Sequence, residues 1–199
     1  MLISCDVSSL VVDTLCKQAV DENAAVVCFY LDSTAQKDQS PAAILGSVLK
    51  QIVGGLDEVP TGIAEAFRER EGVISGQKLV LPKIVEFLRS ILSSRRTFIC
   101  IDALDQCQAQ HRVELLNSLN EILQGSPDAR IFLTGRPHIR HEVQKHLTGR
   151  VATKSITPIG DDIVRFLRAR LEEDTMQDAM DESLEGEIIQ SIKTKFSEM

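Results

Sequence analysis

Apolar residues recur along this chain in two rhythms, and the alternation between them predicts its elements. From residue 2 to 20, Leu10, Val11, Leu15 and Cys16 return at helical spacing, so a helix begins almost at the first residue. AAVVCFYL (24–31) is a short β-branched and aromatic run after the polar DEN, which reads as a buried strand. Ser40-Pro41 then opens a helix in SPAAILGSVLKQIV, with proline in the first turn, where its missing N–H does no harm, and Gly54-Gly55 closes it. Helical spacing returns in PTGIAEAFRERE and in LVLPKIVEFLRSILSS, the latter with Pro82 at its start. TFICID (97–102) is the next strand, and AQHRVELLNSLNEIL follows as a helix with Val113, Leu116, Leu119 and Leu123 as its apolar stripe.

After the turn QGSPD the pattern predicts a strand, ARIFLTG, then a basic and partly helical RPHIRHEVQKHL, then a last strand, ATKSITPI. GDDIVRFLRARLEED is a helix capped by Asp161 or Asp162, with Ile163, Phe166, Leu167 and Leu171 facing inward, and SLEGEIIQSIKTKF is a final helix. Strands alternating with helices of this length imply right-handed crossovers and a parallel sheet with helices on both faces, a three-layer α/β fold. The expected division is a core over 1–172, then an acidic linker and the start of a C-terminal helical region over 173–199.

The 199 residues, 43% hydrophobic and 26% charged, suit one soluble globular α/β domain. The net charge of −7 includes the stretch EEDTMQDAMDESLEGE (172–187), which holds no Lys or Arg, so a nucleic-acid partner is not expected. A nucleotide stays open, because it needs only local positive charge. The five cysteines (Cys5, Cys16, Cys28, Cys100, Cys107) form no CxxC pair and read as small hydrophobes in a reducing, cytoplasmic setting. No apolar run is long enough to span a bilayer and the first residues lack a secretory pattern, so no membrane partner is expected.

Candidate chemistry lies just after the strands FICI and IFL, since ligands of parallel α/β sheets sit beyond the carboxyl ends of the strands. Those residues are Asp102, Asp105 and Thr134 to Arg136. An aspartate at a buried strand tip can hold Mg²⁺ directly or through water, which suits Asp102. A second acid three residues on, Asp105, could orient or deprotonate a water, and Arg136 could set a planar cation beside a terminal phosphate. From the two acids alone, a buried strand running into a polar turn explains the pattern better, and Arg136 alone reads as a surface cation. Ser8 and Ser9 belong to no nucleophile motif, and neither His138 with His141 nor Cys107 with His111 has further ligands nearby, so no zinc site is assigned.

RTFICIDALDQC followed about thirty residues later by ARIFLTGRPHI resembles the Walker B and sensor 1 elements of NACHT-type signal-transducing (STAND) NTPases. Among these it looks like the nephrocystin-3-like N-terminal domains of large, NLR-like fungal proteins that carry ankyrin or WD40 repeats. VVCFYLDS, SPAAILGSVLKQI and ITPIGDDIVRFLRARL resemble further parts of that core, so the resemblance covers nearly the whole chain. It implies a P-loop NTPase-like fold, ATP or GTP with Mg²⁺, Asp102 as the metal-binding acid, Asp105 as the second, catalytic acid, and Arg136 as the sensor 1 arginine, with Thr134 beside it as a further nucleotide-binding residue. Gln106 stands where the family usually has a glutamate, so brisk hydrolysis is not expected.

The family's glycine-rich phosphate loop should precede MLISCDVSSLVVDTL, and the chain begins there instead. GVISGQKL (72–79) has the wrong spacing and follows no strand, so it is a decoy. By the resemblance the strand before that loop lies between the sensor 1 strand and the last strand. The three strands at 24–31, 97–102 and 129–134 are still expected to pair in order around FICID, while ATKSITPI loses its neighbour. The expectation is therefore a fragment of a nucleotide-binding switch domain, binding nucleotide weakly or undetectably alone. The alternatives are an interaction module or decoy that self-associates or pairs with full-length relatives, or a truncated gene product.

Overall fold

Odd-numbered positions of three short strands carry the aliphatic side chains that hold the sheet to its helices. The computed structural model describes residues 2–22, 24–35, 38–71, 79–149, 151–156, 160–172 and 182–197, in two units, Met1–Val151 and Ala152–Met199. In the first unit β1 (Ala25–Tyr30), β2 (Thr97–Asp102) and β3 (Ala129–Leu133) are parallel in the order β1-β2-β3. The register sets Val27 beside Ile99 and Ile99 beside Ile131. The order is that expected, with FICID in the middle, and the α/β class with a parallel sheet is likewise as expected.

Six helices accompany this sheet: α1 (Leu2–Glu22), α2 (Pro41–Gly54), α3 (Thr61–Glu71), α4 (Leu81–Leu92), α5 (Ala109–Gly125) and α6 (Arg140–His146). Ser40 caps α2, its hydroxyl accepting from the Ala43 N–H with Pro41 in the first turn, and α4 likewise carries Pro82 in its first turn. On one face Val27, Ile99 and Ile101 bury against Ile44, Leu45 and Val48 of α2, Leu88 and Leu92 of α4, and Leu116 and Leu119 of α5. The even-numbered positions face α1: Cys28, Cys100, Asp102 and Phe132 line a narrow cleft with Ser8 and Val12. Helices thus cover both faces, and the second face holds the thiols and the carboxylate.

The two edges of the sheet differ. On β1 the Gln51 side chain of α2 stands in for a neighbouring strand, accepting from the Cys28 N–H (3.1 Å) and donating to the Cys28 carbonyl (2.8 Å). On β3 the Thr134 N–H turns inward to Ile101 O, so by the alternation of the parallel ladder Ile131 and Leu133 turn theirs outward. Among the described residues no strand pairs with that side.

Two expectations are corrected. ATKSITPI forms no strand over its described part: residues 152–156 are irregular and exposed, a short run with three successive polar residues, Thr153 to Ser155, that has little apolar surface to bury by pairing. The buried stripe of α5 is Leu115, Leu116, Leu119 and Ile122, with Val113 and Leu123 only half-buried and Arg112 taken inside. In the second unit, α7 (Gly160–Glu172) places Asp161 and Asp162 at its positive end and half-buries Phe166, Leu167 and Leu171. Arg168 of α7 reaches Glu185 of α8 (Glu182–Ser197) at 3.7 Å, an exposed pair worth little. The Ile163 side chain, the linker at 173–181 and GVISGQK (72–78) lie outside the described residues.

Leu116 is fully buried between helix and sheet. Leu116→Ala is expected to destabilise the chain by about 3 kcal/mol in urea unfolding, against about 1 kcal/mol for Ser40→Ala at the α2 cap.

Candidate functional site

β2 and β3 end level with each other, and Thr134 ties the two tips together. Its N–H donates to Ile101 O (3.1 Å), its carbonyl accepts from the Leu104 N–H (2.9 Å), and its hydroxyl accepts from the Ala103 N–H (2.9 Å). That hydroxyl donates in turn to Asp102 Oδ1 at 2.5 Å. Ala103 stands in the left-handed region (φ 56°, ψ 45°), which turns the chain sharply out of β2. Such a conformation costs a residue with a Cβ on the order of 1 kcal/mol, and the bonds from its own N–H and from the Leu104 N–H to Thr134 hold it.

Asp102 is 8% exposed. Its Oδ1 also accepts from the Ser8 hydroxyl of α1, so two hydroxyls from two elements meet on one oxygen. Oδ2 has no hydrogen-bond partner among the described residues.

Asp105 lies in the 3-10 turn Leu104–Gln106 with its side chain 6% exposed. Its Oδ1 accepts from the Arg136 N–H (3.2 Å), and its Oδ2 accepts from Gln106 Nε2 (2.9 Å) and faces Arg136 Nε at 3.4 Å. A Cβ at the intervening Gly135 would press on the end of the Ile139 side chain, 2.6 Å from its Cδ1. The Arg136 side chain is 62% exposed and keeps most of its guanidinium in water. All four residues singled out in the sequence therefore meet at one end of the sheet, as two bonded pairs, Asp102 with Thr134 and Asp105 with Arg136.

Arg112 braces the turn from below. Its Nη1 donates to Cys107 O (2.9 Å), while Nε and Nη2 form a fork to Glu142 Oε1 (2.6 Å) and Oε2 (3.0 Å) on α6. Neither Arg112 nor Ser8 stands out in the sequence as a site residue. For Arg112 a signal existed, a charge three and four residues before Leu115 and Leu116 on the same helical face. Ser8 had none, because its partner is 94 residues away and depends on how α1 lies across the sheet.

Chemically, a carboxylate oxygen with no protein donor suits Mg²⁺, which keeps most of its waters and needs few protein ligands. Among the described residues no group of three or more His, Cys, Asp or Glu is disposed to hold a metal. The exposed Arg136 guanidinium suits an incoming phosphate. Both Asp105 oxygens are engaged, so in this arrangement it joins the tips rather than standing open to a water.

The hydrogen bonds from Arg112 hold the Glu142 carboxyl below its ordinary value of 4.5, burial opposes the shift, and His146 and His138 add to it. A depressed carboxyl pKa stabilises the fold above the unfolded value and loses that contribution as pH falls through the folded one. Unfolding midpoints measured below pH 5 are expected to fall more steeply for the wild type than for Glu142→Gln. At neutral pH, Arg112→Met is expected to cost roughly 2–4 kcal/mol by leaving Glu142 and Cys107 O unpaired.

Comparison with known families matches the model of the Nephrocystin 3, N-terminal family to residues 7–136, more than half of the chain and all four tip residues. Among solved structures, a Walker-type ATPase of Pyrococcus abyssi is similar at 14% identity and a TM-score of 0.47, over 86% of this chain and 52% of that one. The chain thus spans about half the length of that structure. No curated protein sequence matches it.

Proposed function

Since the chain belongs to the Nephrocystin 3, N-terminal family, we propose that it is a nucleotide-binding domain of NACHT type that acts as a conformational switch in the cytoplasm, with ATP or GTP and Mg²⁺ as its ligand. The observation that carries this reading is the meeting of Asp102, Thr134, Asp105 and Arg136 at adjacent tips of two parallel strands. Asp102 would hold the cation through Oδ2. Arg136 would turn to the terminal phosphate.

The Asp105–Arg136 pair supplies the switching element. A phosphate that draws Arg136 toward itself competes with Asp105, so the two tips have two bonding arrangements between which a nucleotide discriminates. Turnover is slow on this reading, because Gln106 accompanies Asp105 and the acid is already engaged.

Titration of the full chain with ATP and GTP, with Mg²⁺ present and absent, tests the proposal. Weak, Mg²⁺-dependent binding is expected, lost in Asp102→Ala and at least tenfold weaker in Arg136→Ala. Absence of binding by the wild type at millimolar nucleotide, or unchanged binding in both variants, overturns it.

A second reading is favoured by the β3 edge: outward N–H groups at Ile131 and Leu133 offer a template for strand addition, so the domain would pair with a second copy or a full-length relative. Sedimentation is expected to show concentration-dependent association that is weakened by Ile131→Pro. A strictly monomeric folded chain overturns this reading.

A further inference from the structure

We infer that Ser8 is a positioning residue for the cation, holding Asp102 by one oxygen so that the other is presented to Mg²⁺. The inference rests on the nucleotide reading above and extends it to a helix that carries none of the four tip residues.

A carboxylate at a strand tip can swing about its side-chain torsions and offer a metal one oxygen, the other or both. Here that freedom is removed. The Ser8 and Thr134 hydroxyls both donate to Asp102 Oδ1, from α1 on one side and from the end of β3 on the other. Oδ2 is left with no protein donor among the described residues. Ser8 is only 2% exposed, so its hydroxyl is held beside the carboxylate by the packing of α1 on β1 and β2. An octahedral ion that keeps its waters takes one carboxylate oxygen readily, and a fixed monodentate acid favours Mg²⁺ and Mn²⁺ over the larger Ca²⁺, which accepts bidentate ligands. Groups that orient a metal ligand in this way commonly contribute about tenfold or more to metal affinity.

A merely structural role for Ser8, pinning α1 to the sheet, predicts a different result, and the test separates the two. The full chain, labelled for backbone amide signals, is titrated with Mn²⁺ in the presence of ATP, and paramagnetic broadening at Ala103 and Thr134 is followed. The wild type is expected to show localised broadening that Asp102→Asn abolishes. Ser8→Ala is expected to weaken the apparent Mn²⁺ affinity by about tenfold and to narrow the preference for Mn²⁺ over Ca²⁺, with Ser8→Thr restoring both. Thr134→Val, acting on the same oxygen from the other strand, is expected to give a loss of similar size, and it keeps the idea testable should Ser8→Ala fold poorly.

If Asp102→Asn loses the signal while Ser8→Ala and Thr134→Val keep wild-type affinity and ion preference, the positioning role is wrong and the nucleotide reading stands. A Ser8→Ala variant that melts lower without cation yet binds Mn²⁺ like the wild type overturns the positioning role in the same way. Absence of localised broadening in the wild type removes the nucleotide reading, and this inference with it.

Discussion

The arrangement at the end of the sheet depends on one residue that bonds in four directions. Thr134 uses its N–H, its carbonyl and both capacities of its hydroxyl to join the end of β3 to Ile101, Leu104, Ala103 and Asp102. This knot holds Ala103 in a left-handed conformation, and that sharp exit from β2 decides where the next residues point. Asp102 is left facing α1, while Asp105 is carried round to meet Arg136.

The elements that could be read from the sequence are those whose signals are local. Ser40 with Pro41 announces the start of α2 through groups within one helical turn, and the runs AVVCFY and TFICID announce strands through their own shape. The strand-tip residues were legible for the same reason, since a parallel sheet places its chemistry just past its apolar runs. What could not be read depends on partners distant in sequence. Arg112 enters the apolar side of α5 only because Glu142 and Cys107 O satisfy it there, which moves the buried stripe from the expected Val113 toward Leu115 and Ile122. Residues 152–156 belong to a run expected to form a strand, but Thr153, Lys154 and Ser155 in succession carry little apolar surface to bury, and the described stretch stays irregular and exposed.

The two faces of the sheet divide labour in a way that composition conceals. The face toward α2, α4 and α5 is aliphatic and supplies cohesion through Ile99, Ile101, Leu116 and Leu119. The face toward α1 carries Cys28, Cys100 and Asp102. Burial pushes the Cys100 thiol up to about 11, which keeps it protonated and inert. The free cysteines at positions 100 and 107, both buried, are therefore packing residues whose thiols need no partner.

A carboxylate held on one side and open on the other suits a switch better than a rapid hydrolase. Fast hydrolysis needs a base with a free oxygen beside the attacking water, and Asp105 has both oxygens occupied by Arg136 and Gln106. A switch needs an interaction that a ligand can exchange for another, and the same occupied acid provides one. Arg136, mostly in water, loses little by leaving Asp105 for a phosphate, whereas Asp105, almost wholly buried, loses a donor and must find another. On the proposed switch reading, that imbalance would place the conformational response on the buried partner. Asp105 shares its turn with Leu104 and Cys107, and Arg112 braces Cys107 against α6, so on that reading a change at the acid would be passed on through contiguous hydrogen bonds.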